Sequence, residues 1–182
     1  MIFKPKTITL KDGHTCTLRP AEAKDAQGML DYLRTSAGET PFLLRNPDEV
    51  TFTVEGEESF LENKRNTPRE LMMVADVDGA LAGNCGIITN GDLRRVYHRC
   101  GFGIALLKDY WHLGIASAMM TYAFELAKEM GYEQVELEVV EGNERAKALY
   151  EHLGFQETGK HLHALKYDDG NYRDEYTMVK FL

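Results

Sequence analysis

Hydrophobic and polar residues along the chain follow two different periods, which divide it into strands and helices. Val135, Leu137 and Val139 alternate with Glu136 and Glu138, the period-two pattern of a strand with one buried and one polar face. Strands of this or of a more continuously apolar kind are predicted at seven places, residues 15–18, 71–77, 81–89, 94–107, 135–139, 155–165 and 172–181.

Apolar residues recur three or four positions apart in four other segments, and this spacing predicts helices. The first two lie near residues 23–35 and 54–64. The third begins after Gly114 and is closed by Gly131, since glycine readily adopts the left-handed conformation that ends a helix. Asn143 can cap the fourth helix, which another glycine ends.

The predicted order of elements is one strand, two helices, three strands, a helix, a strand, a helix and two strands. This order favours an α/β fold with a mixed sheet of about seven strands and helices on both faces. A chain of 182 residues with 43% hydrophobic residues is long enough for one sizeable core. We therefore expect residues 1–182 to form a single domain.

The charge balance is acidic, with a net charge of −8. It argues against nucleic acid as the main partner and is compatible with a cationic substrate. No apolar run approaches the roughly 20 residues of a membrane span, and the first residues lack the long apolar stretch of a signal peptide. The expected location is cytoplasmic, with no membrane partner.

Cysteine and histidine residues give no metal-binding pattern. Cys16, Cys85 and Cys100 are scattered and form no Cys-x-x-Cys pair, so we interpret them as reduced, small hydrophobic residues. His161 and His163 would place two rings on one face of a strand. Without a cysteine or carboxylate at metal-ligand spacing, no metal site is predicted.

The start of the third helix is the first feature with a chemical implication. An apolar run ends at Leu107, a short polar turn follows, and the helix begins near Gly114 and Ala116. The first N–H groups of a helix lack internal partners and the helix dipole adds partial positive charge, so this end can receive an anion. Taken alone, a Gly-x-Ala pair is more simply explained as the start of an amphipathic core helix.

Two linked segments make the resemblance to a known family specific. YWHLGIA at residues 110–116 resembles the acetyl-CoA signature of the GNAT superfamily of N-acetyltransferases. EVVEGNERAKALYEHLGF at residues 138–155 is similar to that family's strand-Asn-helix-Gly-Phe segment, at the expected distance downstream. Two signatures in the right order are far less expected by chance than either alone. The resemblance implies a mostly antiparallel sheet that is splayed at the cofactor site.

The resemblance also implies which residues hold acetyl-CoA. The strand that ends at Leu106 and Leu107 would offer backbone groups to the pantetheine amides, and residues 113–117 would give N–H groups to the pyrophosphate. The family more often has Gln or Arg at Trp111 and often Gly at Ala116, but contacts through backbone N–H groups do not depend on those side chains. The cofactor-binding residues are expected to be Leu106, Leu107, Trp111, His112, Leu113, Gly114, Ile115, Ala116, Ser117, Asn143 and Tyr150.

The resemblance assigns catalytic roles to Tyr150 and Glu138. The Tyr150 hydroxyl matches the family's general acid, and a phenol of pKa roughly 10 can stabilise a thiolate whose conjugate acid lies at about 8.5. Glu138 matches the position that some relatives use as the base. It is equally well explained as a solvated strand carboxylate, with water removing the proton from the amine. Asn143 is a helix cap or, in addition, a cofactor contact.

The expected activity is transfer of the acetyl group from acetyl-CoA to a primary amine on a peptide N-terminus, a polyamine or a small cationic metabolite, in a direct ternary complex. Two alternatives remain open at this point. One is an acetyltransferase of the aminoglycoside or ribosomal-protein type, and the other is an acyl-CoA-binding sensor that no longer transfers.

The acceptor site is expected to be built by residues 36–53, by the helix near residues 55–60 and by the final hairpin at residues 167–172. A homodimer is compatible with strands exposed at the edges of an open sheet.

Overall fold

The computed structural model describes all 182 residues, which form eight strands and four α-helices. The strands are β1 (Lys6–Thr9), β2 (Thr15–Pro20), β3 (Leu71–Val77), β4 (Ala80–Thr89), β5 (Arg99–Leu106), β6 (Gln134–Val140), β7 (Gln156–Lys166) and β8 (Tyr172–Phe181). The helices are α1 (Ala26–Glu39), α2 (Val54–Asn66), α3 (Ile115–Glu129) and α4 (Glu144–His152). None of the helices is long and apolar enough to cross a lipid bilayer.

All eight strands belong to one sheet in the order β1-β2-β3-β4-β5-β6-β8-β7. Every neighbouring pair is antiparallel except β5 and β6, which run parallel. These two strands pair only from Arg99 opposite Gln134 to Gly101 opposite Glu136. Beyond Gly101 they separate, while β6 stays paired with β8 as far as Val140. The sheet is therefore splayed, as the resemblance implied.

Helices cover both faces of the sheet. The larger core lies under α3 and α4, where Met119, Phe124 and Tyr150 pack with alternate residues of the strands. A smaller cluster under α1 and α2 includes Met29 and Leu61. Leu137 and Val139 of β6 belong to the larger core, so Glu138 between them points to the α1/α2 face.

The sequence predicts a sheet of about seven strands, and the structure has eight. The missed strand is β1, a four-residue edge strand that pairs only with β2. Only Ile8 in it is apolar, too little for a period to be recognised. Two boundaries differ by about four residues or more: α1 extends to Glu39, and residues 94–98 form turns before β5 begins at Arg99.

Candidate active site

A cavity of about 1100 Å³ lies where β5 and β6 separate. Its walls come from β5, from the turn that leads into α3, from the end of β6 and from the first turns of α4, with further residues from β7, β8 and the segment after α1. The sequence order of these parts is discontinuous, so the cavity exists only once the sheet has formed.

The β5 wall presents unused backbone groups to the cavity. The N–H of Leu107 donates to the Ala82 carbonyl at 2.9 Å. This bond shows which residues of β5 hydrogen-bond to β4 in the antiparallel ladder. Alternate residues in such a ladder point their backbone groups to opposite sides, so the N–H groups of Ile104 and Leu106 face away from β4. Gly103, which precedes Ile104, has open space where a Cβ would be. An extended ligand can therefore lie along this edge as an added strand.

The turn before α3 forms a cradle of backbone N–H groups. His112 and Gly114 adopt left-handed conformations, with φ of 66° and 92°, and Gly114 is the residue that caps α3. The first helical hydrogen bond runs from the Ala118 N–H to the Gly114 carbonyl at 3.2 Å. The N–H groups of residues 112–117 have no acceptor within the protein, so they are available to an anion.

Cationic side chains border this cradle. The Arg145 guanidinium lies over the Trp111 ring, 3.2 Å from its centroid. Lys11 lines the same cavity, and its backbone N–H donates to the Leu113 carbonyl at 3.4 Å. Sequence reasoning missed both cations. Arg145 follows the capping Asn143 by two residues, which is a usable signal, whereas Lys11 lies about a hundred residues before the cradle in sequence.

Asn143 caps α4 and lines the cavity at the same time. Its side-chain oxygen accepts from the Ala146 N–H at 3.4 Å, so the capping role expected from the sequence is present. The α4 helix that begins here carries Tyr150 two turns later. The cap therefore fixes the helix that places Tyr150.

Tyr150 is buried, with 8% of its surface exposed, and lines the cavity. Its ring packs against Phe155 with 5.9 Å between centroids, and its hydroxyl makes no hydrogen bond within the protein. Burial raises the pKa of Tyr150 to about 12. The phenol is therefore held as a neutral donor beside the cavity.

Carboxylates line the cavity from the opposite face of the sheet. Glu138 of β6 pairs with Thr177 of β8, and Val140 pairs with Glu175, so the two glutamates are diagonal neighbours on the α1/α2 face. His161 of β7 lies directly opposite Glu175. Burial, followed by the like charge of Glu138, raises the pKa of Glu175.

The segment after α1 closes this side of the cavity with Thr40, Phe42, Leu43 and Leu44. It is tied to the final hairpin, because the Tyr167 hydroxyl donates to the Pro41 carbonyl at 2.8 Å. Of the three segments expected at the acceptor site, only residues 36–53 contribute to the cavity lining. Residues 167–172 contact that segment through Tyr167 but do not line the cavity, and no residue of α2 lines it.

The structure gathers most of the predicted site residues around the one cavity, namely Leu106, Trp111, His112, Gly114, Ile115, Ala116, Ser117, Glu138, Asn143 and Tyr150. Leu107 and Leu113 do not line it. The backbone of Leu107 is already used, since its N–H donates to Ala82 and its carbonyl accepts from Tyr110. The Leu113 side chain packs against the larger core, which leaves only its N–H for the cradle.

The cysteines lie outside the cavity. Cys16, Cys85 and Cys100 are free and buried, and burial raises the pKa of Cys16 to about 11 and that of Cys100 to about 12. Burial also raises the pKa of Cys85. These thiols are therefore held in the protonated, weakly nucleophilic form.

His161 and His163 of β7 do not follow the regular strand alternation that would place both rings on one face. The pairing register shifts between His161 and Leu165, and His163 within that shift has φ of 53°. The His163 ring stacks on Tyr172 with 4.6 Å between centroids. No group of three or more His, Cys, Asp or Glu residues is placed to hold a metal ion.

The chain is similar to known acetyltransferases over nearly its whole length. The model of the acetyltransferase (GNAT) family matches residues 39–155. A Bacillus subtilis protein, provisionally named a ribosomal N-acetyltransferase, is 29% identical over 190 residues that cover 95% of this chain and 96% of that protein. The spermidine N(1)-acetyltransferase of Escherichia coli strain K12 is 27% identical over 178 residues, which cover 94% of this chain and 89% of that enzyme.

A solved structure shows the same architecture. The acetyltransferase of GNAT family from Streptococcus pneumoniae superposes with a TM-score of 0.86 at 28% identity, covering 92% of this chain and 99% of that chain. GNAT acetyltransferases use acetyl-CoA, an elongated anionic molecule that suits a cavity with a strand-like edge and an N–H cradle. The chain therefore belongs to the GNAT family and is an N-acetyltransferase.

Proposed function

We propose that this enzyme transfers the acetyl group of acetyl-CoA directly to a primary amine on a cationic acceptor, either a peptide N-terminus, a polyamine or a small amine. One observation carries the proposal. A single cavity joins the N–H cradle at residues 112–117 to Tyr150 on one face of the sheet and to Glu138 and Glu175 on the other. Donor and acceptor can therefore meet where the sheet is open.

The donor fits the wall formed by β5 and the start of α3. The thioester of acetyl-CoA supplies the acetyl group. The N–H groups of residues 113–117 would hold the pyrophosphate, and the outward-facing N–H groups of Ile104 and Leu106 would meet the pantetheine and the thioester carbonyl. A preorganised N–H near the carbonyl stabilises the oxygen on which negative charge develops during attack.

Tyr150 is the proposed general acid. As the C–N bond forms and the C–S bond breaks, the sulfur leaves with the electron pair and requires a proton. The Tyr150 hydroxyl has no partner inside the protein, and burial keeps the pKa of Tyr150 near 12. It is therefore protonated at neutral pH and able to donate to the departing thiolate.

Glu138 is the proposed base. An alkylammonium is almost wholly protonated at neutral pH and attacks only after it loses a proton. The Glu138 carboxylate is exposed to the cavity and lies on the face opposite Tyr150. It can receive the proton of the amine directly or through a water molecule, on the side from which the acceptor would enter.

The acceptor is proposed to be cationic because Glu138 and Glu175 give its side of the cavity a negative charge. The name of the Escherichia coli relative agrees with this, since spermidine is a polycation, and the Bacillus subtilis relative is named for a ribosomal acceptor. Neither name fixes the acceptor of this enzyme. No cysteine reaches the cavity, which supports direct transfer without an acyl-enzyme.

We also propose that the chain works as one domain and in the cytoplasm. The cavity draws on residues from Lys11 to Glu175, so almost the full length is needed to build it. The three free cysteines are compatible with a reducing compartment.

The test of this function is the release of free CoA thiol from acetyl-CoA in the presence of an amine panel. The panel should contain spermidine, peptides with different N-terminal residues, an aminoglycoside and monoamines that carry no positive charge beyond the reacting amine. We expect turnover with at least one acceptor that carries further positive charge and little with these monoamines. Tight binding of acetyl-CoA without turnover on any amine would contradict the proposal and would favour an acyl-CoA sensor.

A further inference from the structure

We propose that Arg145 is a side-chain ligand for a phosphate group of the CoA nucleotide and that Trp111 positions it. The inference rests on the proposed location of acetyl-CoA in the cavity. It adds a charged side chain to a contact otherwise made by backbone N–H groups alone.

The Arg145 guanidinium has a platform but no counter-ion. It lies 3.2 Å from the centroid of the Trp111 ring and takes part in no ion pair or hydrogen bond. Its helix neighbour Lys147, by contrast, is paired with Glu157 at 2.8 Å. Stacking on an indole holds the planar guanidinium in place while its N–H groups remain available. Arg145 is thus oriented without being neutralised.

The Trp111 ring, on which Arg145 stacks, is itself fixed to β5, the strand along which the donor would lie. The Trp111 indole N–H donates to the Leu106 carbonyl at 2.8 Å, and the Trp111 backbone N–H donates to the Lys108 carbonyl at 3.0 Å. Trp111 and Arg145 both line the cavity together with the N–H cradle at residues 112–117. The guanidinium therefore stands beside the groups that would receive the pyrophosphate.

The negative charge of the CoA phosphates favours a cationic side chain at this position. The phosphates of CoA carry several negative charges, whereas the N–H groups of residues 112–117 carry only partial positive charge. The guanidinium fork matches two phosphate oxygens at once. Lys11, Lys108 and Arg145 are all exposed, but the Lys108 ammonium is 5.9 Å from the centroid of the Trp111 ring, whereas the Arg145 guanidinium stacks on it at 3.2 Å. Arg145 is therefore the cation that packing holds at this position.

The test compares Arg145→Gln with Lys147→Gln, a charge-matched control on the same helix that lies outside the cavity. Calorimetry gives the Kd for three ligands, acetyl-CoA, acetyl-3′-dephospho-CoA and S-acetylpantetheine, which has no phosphate. Binding of acetyl-CoA to the wild-type enzyme tests the location of the donor. The ratio of the Kd of each variant to that of the wild type tests the role of Arg145. Thermal unfolding of each variant checks that it is folded.

Loss of a charge-assisted hydrogen bond predicts that Arg145→Gln weakens acetyl-CoA binding by about 10- to 100-fold. Lys147→Gln should leave it unchanged. A loss of affinity confined to acetyl-CoA identifies the 3′-phosphate as the partner of Arg145. An equal loss of affinity for acetyl-CoA and acetyl-3′-dephospho-CoA identifies the pyrophosphate. An unchanged Kd, or an equal loss for S-acetylpantetheine, would overturn the proposal.

The positioning role of Trp111 has its own readouts. Trp111 is the only tryptophan in the chain, so intrinsic fluorescence reports on this platform. The emission should change when acetyl-CoA binds, and this change should be smaller in Arg145→Gln. Trp111→Leu should weaken acetyl-CoA binding. Adding Arg145→Gln to this variant should raise the Kd for acetyl-CoA by a much smaller factor than it does in the wild type. Fully additive losses would show that Trp111 does not act through Arg145.

Discussion

Tyr150 and Glu138 line the same cavity from opposite faces of the sheet. Tyr150 packs into the core beneath α3 and α4, whereas Glu138 points to the face of α1 and α2, because its neighbours Leu137 and Val139 occupy that core. The proposed proton donor and the proposed proton acceptor are thus separated by the plane in which β5 and β6 part. This separation suits a reaction in which the amine loses a proton on one side of the sheet while the thiolate that leaves the same tetrahedral carbon gains a proton on the other.

Tyr150→Phe should reduce kcat by about 10- to 1,000-fold and leave the Kd for acetyl-CoA nearly unchanged. The hydroxyl has no hydrogen-bond partner in the protein, so its loss should change the free energy of unfolding by less than about 0.5 kcal/mol. Steady-state kinetics and thermal unfolding measure both effects.

Tyr132→Phe is the matched control, since the Tyr132 hydroxyl donates to the Arg69 carbonyl at 2.7 Å and lies outside the cavity. It should cost about 1 kcal/mol of stability and leave kcat unchanged. Equal kcat for Tyr150→Phe and the wild type would reduce Tyr150 to a packing residue.

The pH profile of kcat should show no fall in the alkaline range up to about pH 10.5. Burial raises the pKa of Tyr150 to about 12, so the donor keeps its proton throughout this range. Raising the pH meanwhile increases the neutral fraction of the amine. A fall in kcat centred at the ordinary tyrosine pKa of about 10 would indicate an unshifted general acid, with enzyme stability monitored over the same range.

Glu138→Gln should lower kcat/KM for the amine by at least about 10-fold at pH 7 and by less at pH 9, because more of the amine is then already neutral. The amide is close in size to the carboxylate, so the fold should be unaffected. Rates at several pH values with one amine measure the effect. A loss that is the same at every pH would indicate that Glu138 only binds the acceptor.

Glu175→Gln provides the comparison on the same face of the sheet. If this residue contributes charge and not proton transfer, the KM for a cationic amine should rise about 3- to 10-fold. Its kcat and the Kd for acetyl-CoA should change little.

Gly83→Ala should disturb the donor site through the strand beside it. A Cβ at Gly83 would lie 2.5 Å from the Ala105 carbonyl oxygen and 3.0 Å from the Leu106 Cα, and backbone cannot move aside cheaply. We expect a loss of about 1–3 kcal/mol in stability and a raised KM for acetyl-CoA, because the end of β5 must shift. Chemical denaturation and steady-state kinetics measure these changes.

Gly38→Ala is the control substitution for this prediction. Gly38 lies in α1, and its nearest neighbour, Pro47, would be 3.6 Å from the new Cβ, which is an ordinary contact. It should stabilise the helix by about 0.5–1 kcal/mol and leave the KM unchanged. A Gly83→Ala enzyme with wild-type KM and stability would show that β5 tolerates the displacement.

The parts of the fold with strong local signals were predictable from the sequence. The period-three-to-four pattern after Gly114 and the stop at Gly131 correspond to the observed α3, and Gly131 has φ of 82°. The β1 strand was missed because a short edge strand needs few apolar residues. The strand predicted for residues 94–107 begins only at Arg99, because residues 94–98 form turns although Val96 and Tyr97 prefer strands.

The candidate site was predictable where it depends on backbone geometry close to a glycine. The cradle before α3 is of this kind, since Gly114 and the helix start are adjacent in sequence. Glu175 and His161 depend on the register of β8 with β6 and β7, which no local pattern reveals. Lys11 reaches the cradle only because its N–H bonds to the Leu113 carbonyl.

The three-residue pairing between β5 and β6 has a mechanical consequence. The sheet consists of two parts, β1 to β5 and β6 to β8, which pair over three residues at one end and are separated at the other. A ligand that hydrogen-bonds along β5 and also contacts β6 or α4 in the same cavity would link the two parts, so the melting temperature should rise with its concentration. Deuterium exchange at the amides of Ile104 and Leu106 should slow on binding, while exchange along the β2–β3 ladder stays the same.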